Sequence, residues 1–203
     1  ADRVLQRLRG VRAHIAANDP AERFAGLGVD VYLGNARFSG PDRLTVDDGV
    51  ELRFRRAVIA TGARPLVPPI PGLIESQPLT SDSLWGLEAL PARLLFLGGG
   101  PIGCELAQAF ARLGSSVALV EAEPRVLPRD DEQASAIVRH ALERDGVDVR
   151  VGVRLERVER TKGGVRAVLG GGRSLETDRI VVAIGRRPNV EDLGLDVAGV
   201  EVG

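Results

Sequence analysis

Apolar residues recur with two different spacings along this chain of 203 residues, and the change in spacing marks a change in structure. Near the amino-terminal end they recur every three or four positions, which predicts an amphipathic helix over about residues 2–17, ended by Asn18-Asp19-Pro20. From Gly28 the spacing falls to two, and Gly, Pro and Asp separate the apolar runs, so short strands are predicted. The predicted strands are Val29–Leu33, Arg37–Phe38, Arg43–Val46, Glu51–Phe54 and a buried Ala57–Ala60.

The stretch Pro65–Pro78 contains five prolines, which cannot continue a ladder or a helix, and it predicts a passage between domains. Beyond Pro91 strands and helices alternate, which is typical of right-handed crossovers and a parallel sheet. The alternating elements are strand Leu94–Leu97, helix Ile102–Leu113, strand Val117–Glu121, helix Glu132–Arg144 and strand Val147–Val151. An antiparallel meander is predicted next, followed by a last buried strand; these are Leu155–Arg160, Val165–Leu169, Arg173–Glu176 and then Ile180–Ile184.

The end of each half carries the same short sequence. Residues 58–65 read VIATGARP and residues 181–188 read VVAIGRRP, which are identical at five of eight positions with an offset of 123 residues. Two related nucleotide-binding domains are therefore predicted. In the second half, Gly185 lies 87 residues after Gly98, the first glycine of a Gly-rich turn. In the first half, the position 87 residues before Gly62 would lie before Ala1. We therefore expect the first domain's own turn, and the true amino terminus, to lie outside this sequence.

The amino-acid composition limits the classes of partner that the chain is expected to bind. The 27 basic and 28 acidic side chains give a net charge of −1, so no summed field attracts nucleic acid. The longest apolar stretches are far shorter than a membrane span, so no membrane segment is expected. Cys104 is the single cysteine, which excludes an intrachain disulfide and a cysteine-based metal cluster and agrees with a cytoplasmic location. No metal site is predicted.

The turn Gly98-Gly99-Gly100-Pro101-Ile102-Gly103 matches G-x-G-x-x-G between a predicted strand and a predicted helix, and the acid Glu121 closes the next strand. Gly98 would allow the tight turn, Gly100 would let a pyrophosphate approach the backbone, and Gly103 would let helix and strand touch. Pro101 and Ile102 belong to the same predicted cofactor-binding turn, and the helix that starts there offers free backbone N–H groups beyond the proline and a positive dipole. This combination predicts a dinucleotide site; the alternative is a purely structural turn.

The segments GGGPIGCELAQAFARLG, VIATGARPLVPPIPGL and AIGRRPN together resemble the pyridine nucleotide-disulfide oxidoreductases, FAD-dependent enzymes such as dihydrolipoamide dehydrogenase and mercuric reductase. ELAQAFARLG is most similar to the mercuric-reductase-like branch. The resemblance implies an α/β fold in which a Rossmann-like, three-layer NAD(P)-binding domain, about 81–192, is inserted in an FAD-binding domain. Residues 1–80 and 193–203 would be parts of that FAD-binding domain.

The resemblance also implies roles for single residues. Ala60, Thr61 and Gly62 would lie against the flavin; the alternative is an ordinary strand-end turn. Gly185 would lie near the nicotinamide. Glu105 would approach the flavin and nicotinamide rings and pair with a lysine of the family that this sequence does not contain; read from its position alone, it is a first-turn acid stabilised by the helix dipole. Cys104 is read as a small core residue, and no catalytic residue is assigned.

The implied reaction is hydride transfer from NAD(P)H to FAD and then to a cysteine pair absent from this sequence, serving a small-molecule or disulfide substrate. A homodimer is implied for the complete family enzyme. Glu121 favours NAD over NADP, because a carboxylate accepts hydrogen bonds from ribose hydroxyls and repels a 2′-phosphate. Arg125, four residues further on, is positioned in the sequence to offset that repulsion.

Two other classes of function stay open on the sequence. One is an FAD/NADH oxidase or ferredoxin-reductase-like enzyme without a redox disulfide, which two upstream cysteines four residues apart would exclude. The other is a non-enzymatic nucleotide-sensing module. A flavin that bleaches with NADH would exclude that module.

Overall fold

The computed structural model of the chain describes residues 2–16, 18, 20–47 and 49–202. The helices are α1 (Asp2–Ala16), α2 (Ala21–Gly26), α3 (Pro101–Arg112) and α4 (Glu132–Arg144), with one 3₁₀ turn at Leu84–Gly86. The first strands are β1 (Ala36–Gly40), β2 (Arg43–Val46), β3 (Val50–Arg53), β4 (Ala63–Pro65), β5 (Leu79–Thr80), β6 (Arg93–Leu97) and β7 (Ser116–Val120). The remaining strands are β8 (Asp148–Arg150), β9 (Leu155–Thr161), β10 (Gly164–Leu169), β11 (Arg173–Thr177), β12 (Arg179–Val182) and β13 (Arg186–Pro188).

The chain folds into two compact units. One contains Ala1–Arg9 and Pro65–Arg187, and the other contains Gly10–Arg64 and Pro188–Gly203. The domain boundaries after residues 80 and 192, and the assignment of one cofactor to each domain, stay predictions.

The larger unit has three layers. Its centre is a five-stranded parallel sheet in the order β5-β12-β6-β7-β8, in which β12, the latest of the five along the chain, lies between β5 and β6. Helices α3 and α4 contribute to the core on one face of this sheet. The antiparallel meander β9-β10-β11 contributes to the core on the other face. The predicted Rossmann-like, three-layer α/β fold is confirmed.

The apolar run in β6 is continuous because both faces of the strand are covered. Leu94 and Phe96 belong to the helix-side core, whereas Leu95 and Leu97 belong to the meander-side core. All four are 7% exposed or less. Side chains alternate between the faces of a strand, so a strand covered on both sides needs apolar residues at every position. The buried strand fixes where the Gly-rich turn begins.

The smaller unit contains the antiparallel meander β1-β2-β3. The two copies of the sequence repeat, residues 58–65 and 181–188, end in the strands β4 and β13, and these two strands pair with each other. Residues 63–65 and 186–188 are related by the repeat offset of 123 residues. The repeated sequence therefore marks equivalent elements of structure.

Several predicted elements are wrong or have different ends. The runs predicted as strands at Val29–Leu33 and Ala57–Ala60 pair with no strand in the part of the chain that the structure describes. Val58, predicted to be buried, is 91% exposed. Their β-branched composition suits a strand, but a strand also needs a neighbouring ladder. The strand predicted to end at Ile184 ends at Val182, and residue 17, the predicted end of the first helix, lies outside the described residues.

Candidate functional site

The glycines of the turn between β6 and α3 differ in how much space surrounds them. Gly98 has a φ of +108°, and a Cβ there would lie 2.6 Å from the carbonyl oxygen of Ala183. A Cβ on Gly103 would lie 2.0 Å from the carbonyl oxygen of Gly98. A Cβ on Gly100 would meet nothing within 4 Å. Packing therefore requires glycine at 98 and 103, while the open space at Gly100 is available to a ligand.

The two long helices of the larger unit begin differently. At α4, the side chain of Asp131 accepts hydrogen bonds from the backbone N–H groups of Gln133 and Ala134, at 2.8 and 3.3 Å. At α3 the N-cap is Gly100, no side chain caps the helix, and Pro101 occupies the first position. Unsatisfied N–H groups at a helix start bind anions. The start of α3 thus fits the pyrophosphate of a dinucleotide.

Glu121 follows β7 directly, and its half-buried carboxylate is held by two backbone groups. Oε2 accepts from the N–H of Gly99 at 2.6 Å, and Oε1 accepts from the N–H of Glu123 at 2.9 Å. Each carboxylate oxygen has a second lone pair, which remains for a ribose hydroxyl. The structure therefore brings the predicted acid to the predicted turn.

The loop between Glu121 and α4 also contacts this turn, and the sequence pattern did not predict these contacts. The N–H of Leu127 donates to the carbonyl of Gly99 at 2.8 Å, and Leu127 has a φ of +48°. Arg125 donates to the carbonyls of Pro128 and Asp130. A leucine with positive φ has no local sequence signal, because the left-handed region favours glycine and asparagine.

Cys104 is a core residue. It is 5% exposed, and its Sγ donates to the carbonyl of Gly99 at 3.3 Å. Burial, followed by the charges of Glu121 and Glu105, raises the pKa of the thiol to about 11. The side chain is therefore a neutral thiol at physiological pH.

The other predicted residues lie in both units. Glu105 is the fifth residue of α3, which corrects the predicted first-turn position, and it is exposed. Ile102 is 36% exposed. Gly185, with a φ of +135°, follows β12 in the larger unit, and its carbonyl accepts from the N–H of Leu66 at 3.0 Å.

Ala60, Thr61 and Gly62 lie in the smaller unit and are exposed. The hydroxyl of Thr61 donates to the carbonyl of Asn189 at 2.6 Å, and the Asn189 amide donates back to the carbonyl of Thr61 at 2.9 Å. Gly62 has a φ of +70°, and its carbonyl accepts from the N–H of Asn189. This segment is therefore an ordered turn with exposed backbone.

The three-layer fold and the Gly-rich turn are typical of α/β domains that bind dinucleotides. Residues 12–203 match the family model for pyridine nucleotide-disulphide oxidoreductases, and the chain belongs to that family. The chain is 38% identical over 184 residues to a dihydrolipoyl dehydrogenase of Thermus scotoductus, covering 87% of this chain and 39% of that protein. It is 39% identical over 178 residues to a mercuric reductase of Lysinibacillus sphaericus, covering 86% of this chain and 32% of that protein.

A solved structure gives the same result. The HOCl-induced flavoprotein disulfide reductase RclA of Escherichia coli matches the whole chain with a TM-score of 0.81 and 32% identity, over 46% of its own length. The chain thus spans less than half of each of these three proteins. The family resemblance seen in the sequence is confirmed, and it is a family of oxidoreductases that use FAD and NAD(P)H. Across the residues that the structure describes, no helix is long and apolar enough to cross a membrane.

Proposed function

We propose that this chain holds NADH for a flavin-dependent oxidoreductase, with Gly98–Gly103 binding the pyrophosphate and Glu121 binding the adenosine ribose. The open space at Gly100 beside an uncapped helix start is the observation that carries the proposal. Bound NADH supplies a hydride for FAD. A small-molecule or disulfide substrate, a homodimer and a cytoplasmic location belong to the same proposal for the complete enzyme.

The chain's own residues bind and orient the cofactor. The N–H groups of Gly100, Ile102 and Gly103 would donate to phosphate oxygens, which the positive end of the α3 dipole also attracts. Gly185 lies two residues beyond Ala183, whose carbonyl lies against Gly98, and we assign it to the nicotinamide end. The exposed side chain of Glu105 would face the same end.

For the flavin we assign the exposed turn Ala60-Thr61-Gly62, which the Thr61–Asn189 hydrogen bonds hold in place. The family membership supports this assignment. Electron transfer onward to a redox disulfide would need a cysteine pair, and Cys104 is the single cysteine of this sequence.

Glu121 should select NADH over NADPH. A 2′-phosphate about 4 Å from the carboxylate would be repelled by about 4 kcal/mol at an effective dielectric constant near 20, and by less after solvent and salt screening. A remaining 1.4 kcal/mol corresponds to about tenfold in affinity. Both carboxylate oxygens also hold backbone N–H groups, so removing this side chain would loosen the turn for either cofactor.

The test is titration of the purified protein with NADH and NADPH. We expect NADH to bind more tightly, Glu121→Ala to weaken NADH binding, and the ratio of the two dissociation constants to move toward one. Glu123→Ala, which removes an exposed charge two residues away, is the matched control and should preserve both constants. Equal affinities in the wild type, or a preference for NADPH, would contradict the role of Glu121. Absence of binding to either dinucleotide would contradict the proposed function itself.

A further inference from the structure

Arg125 is half-buried in the loop between Glu121 and α4, and its guanidinium donates hydrogen bonds to backbone carbonyls of that loop. Nη1 donates to the carbonyl of Asp130 at 2.9 Å, and Nη2 donates to the carbonyl of Pro128 at 3.2 Å. A planar guanidinium offers two such donors in a fixed fork, which a lysine ammonium cannot reproduce. Arg125 therefore bridges two carbonyls and fixes the path of the chain around residues 126–129.

A second side chain, that of Ser135, holds the same loop just before Leu127. Val126 is fully buried, and its carbonyl accepts from the hydroxyl of Ser135, itself 3% exposed, at 2.6 Å. Leu127 follows with a φ of +48°, a conformation that an L-residue keeps only when its surroundings impose it. Ser135 and Arg125 thus hold the chain on both sides of Leu127.

Leu127 connects this loop to the Gly-rich turn through a backbone hydrogen bond. Its N–H donates to the carbonyl of Gly99 at 2.8 Å, and the N–H of Gly99 is held by Glu121 at 2.6 Å. In a planar trans peptide the carbonyl of one residue and the N–H of the next point in opposite directions. With the Gly99 carbonyl turned toward Leu127, the N–H of Gly100 points away from the loop.

We propose that Arg125 is a positioning residue for dinucleotide binding: by holding the Leu127 loop, it keeps the Gly99–Gly100 peptide oriented so that the Gly100 N–H faces the pyrophosphate. The inference rests on the proposed function, because it concerns the same turn. It assigns Arg125 a role that is the same for NADH and NADPH. The competing role, direct contact with a 2′-phosphate, concerns NADPH alone.

The test measures dissociation constants for NADH and NADPH in three variants of the purified protein. Arg125→Gln should weaken both by about tenfold, the equivalent of losing one charge-assisted hydrogen bond, and leave their ratio unchanged. Arg125→Lys keeps the charge but not the fork, so it should restore less than half of the lost binding free energy. Arg129→Gln is the matched control, since Arg129 is an exposed arginine of the same loop, and both constants should stay at the wild-type values.

A second readout follows the loop directly. Hydrogen exchange at the Leu127 amide should accelerate in Arg125→Gln but not in Arg129→Gln, while exchange in the strands of the parallel sheet stays unchanged. Unaltered affinity in folded Arg125→Gln would overturn the proposal. So would a loss confined to NADPH, or full recovery in Arg125→Lys. If Arg125→Gln does not fold, Arg125→Lys is compared with the wild type by the same criteria. Failure of the wild type to bind either dinucleotide is a different result, which contradicts the proposed function.

Discussion

Two glycines three residues apart should respond in opposite ways to the same added methyl group. At Gly100 a Cβ would meet nothing within 4 Å, and the backbone angles of −72° and −178° are open to any residue. At Gly103 a Cβ would lie 2.0 Å from the carbonyl oxygen of Gly98. One position is therefore open to a side chain in the folded protein, and the other is closed.

The magnitudes follow from these distances. In Gly103→Ala the helix start and the turn must separate by more than about 1 Å to reach ordinary contact, and overpacking of this kind costs about 3 kcal/mol of stability. In Gly100→Ala the change in stability should stay within about 1 kcal/mol, the usual effect of alanine at an N-cap. Dinucleotide affinity should nevertheless fall at least about tenfold, because the methyl group occupies the space that the pyrophosphate needs. Gly100→Val should abolish binding while the domain stays folded.

Denaturant unfolding and NADH titration on the same samples separate the two effects. We expect Gly100→Ala to unfold close to the wild-type midpoint and to bind weakly, and Gly103→Ala to unfold at a clearly lower midpoint. A folded Gly100→Val variant that binds NADH as tightly as the wild type would refute the assignment of this turn as the phosphate site. Equal destabilisation by the two alanine variants would refute the packing argument.

Two further predictions concern the rest of the larger unit. Cys104 should react slowly with iodoacetamide at pH 8 in the native protein and rapidly after unfolding, because burial raises the pKa of its thiol to about 11; fast native labelling would contradict this. Burial opposes ionisation of Asp178, but hydrogen bonds from Arg93 outweigh it and hold the pKa of this carboxyl below its ordinary value, so the carboxylate stabilises the fold only while ionised. Asp178→Asn should therefore lower the free energy of unfolding by about 1 kcal/mol at pH 7, with the difference shrinking as the pH falls below 4; a difference independent of pH would contradict the role of the ion pair.

Prediction from the sequence succeeded where the signal and its cause are close together in the chain. The helix Glu132–Arg144 was predicted residue for residue, because Asp131 supplies a side-chain cap just before it and Gly146 follows its end. The strand Arg43–Val46 was also matched, within a meander of neighbouring strands. The place of the Gly-rich turn between a strand and a helix was predictable because the motif and the strand before it are contiguous, and Glu121 follows the next strand as predicted; their binding roles stay predictions.

Prediction failed where the outcome depends on distant partners. Ala57–Ala60 has the composition of a strand, but no described strand pairs with it. The direction of the Arg125 side chain depends on two carbonyls that the loop presents only after it folds. From the sequence, Arg125 could equally well serve a phosphate. The two-residue strand β5, which pairs in parallel with β12, is too short to give a periodic signal.

The sequence repeat is reproduced in the hydrogen bonds, which shows that it reflects structure and not only composition. The N–H of Leu66 donates to the carbonyl of Gly185, and the N–H of Asn189 donates to the carbonyl of Gly62, both at 3.0 Å. The offset of 123 residues converts the first pair into the second, since it relates Leu66 to Asn189 and Gly62 to Gly185. Both glycines also have positive φ, at +70° and +135°. A side chain would be strained in either turn, so backbone geometry favours glycine at both 62 and 185.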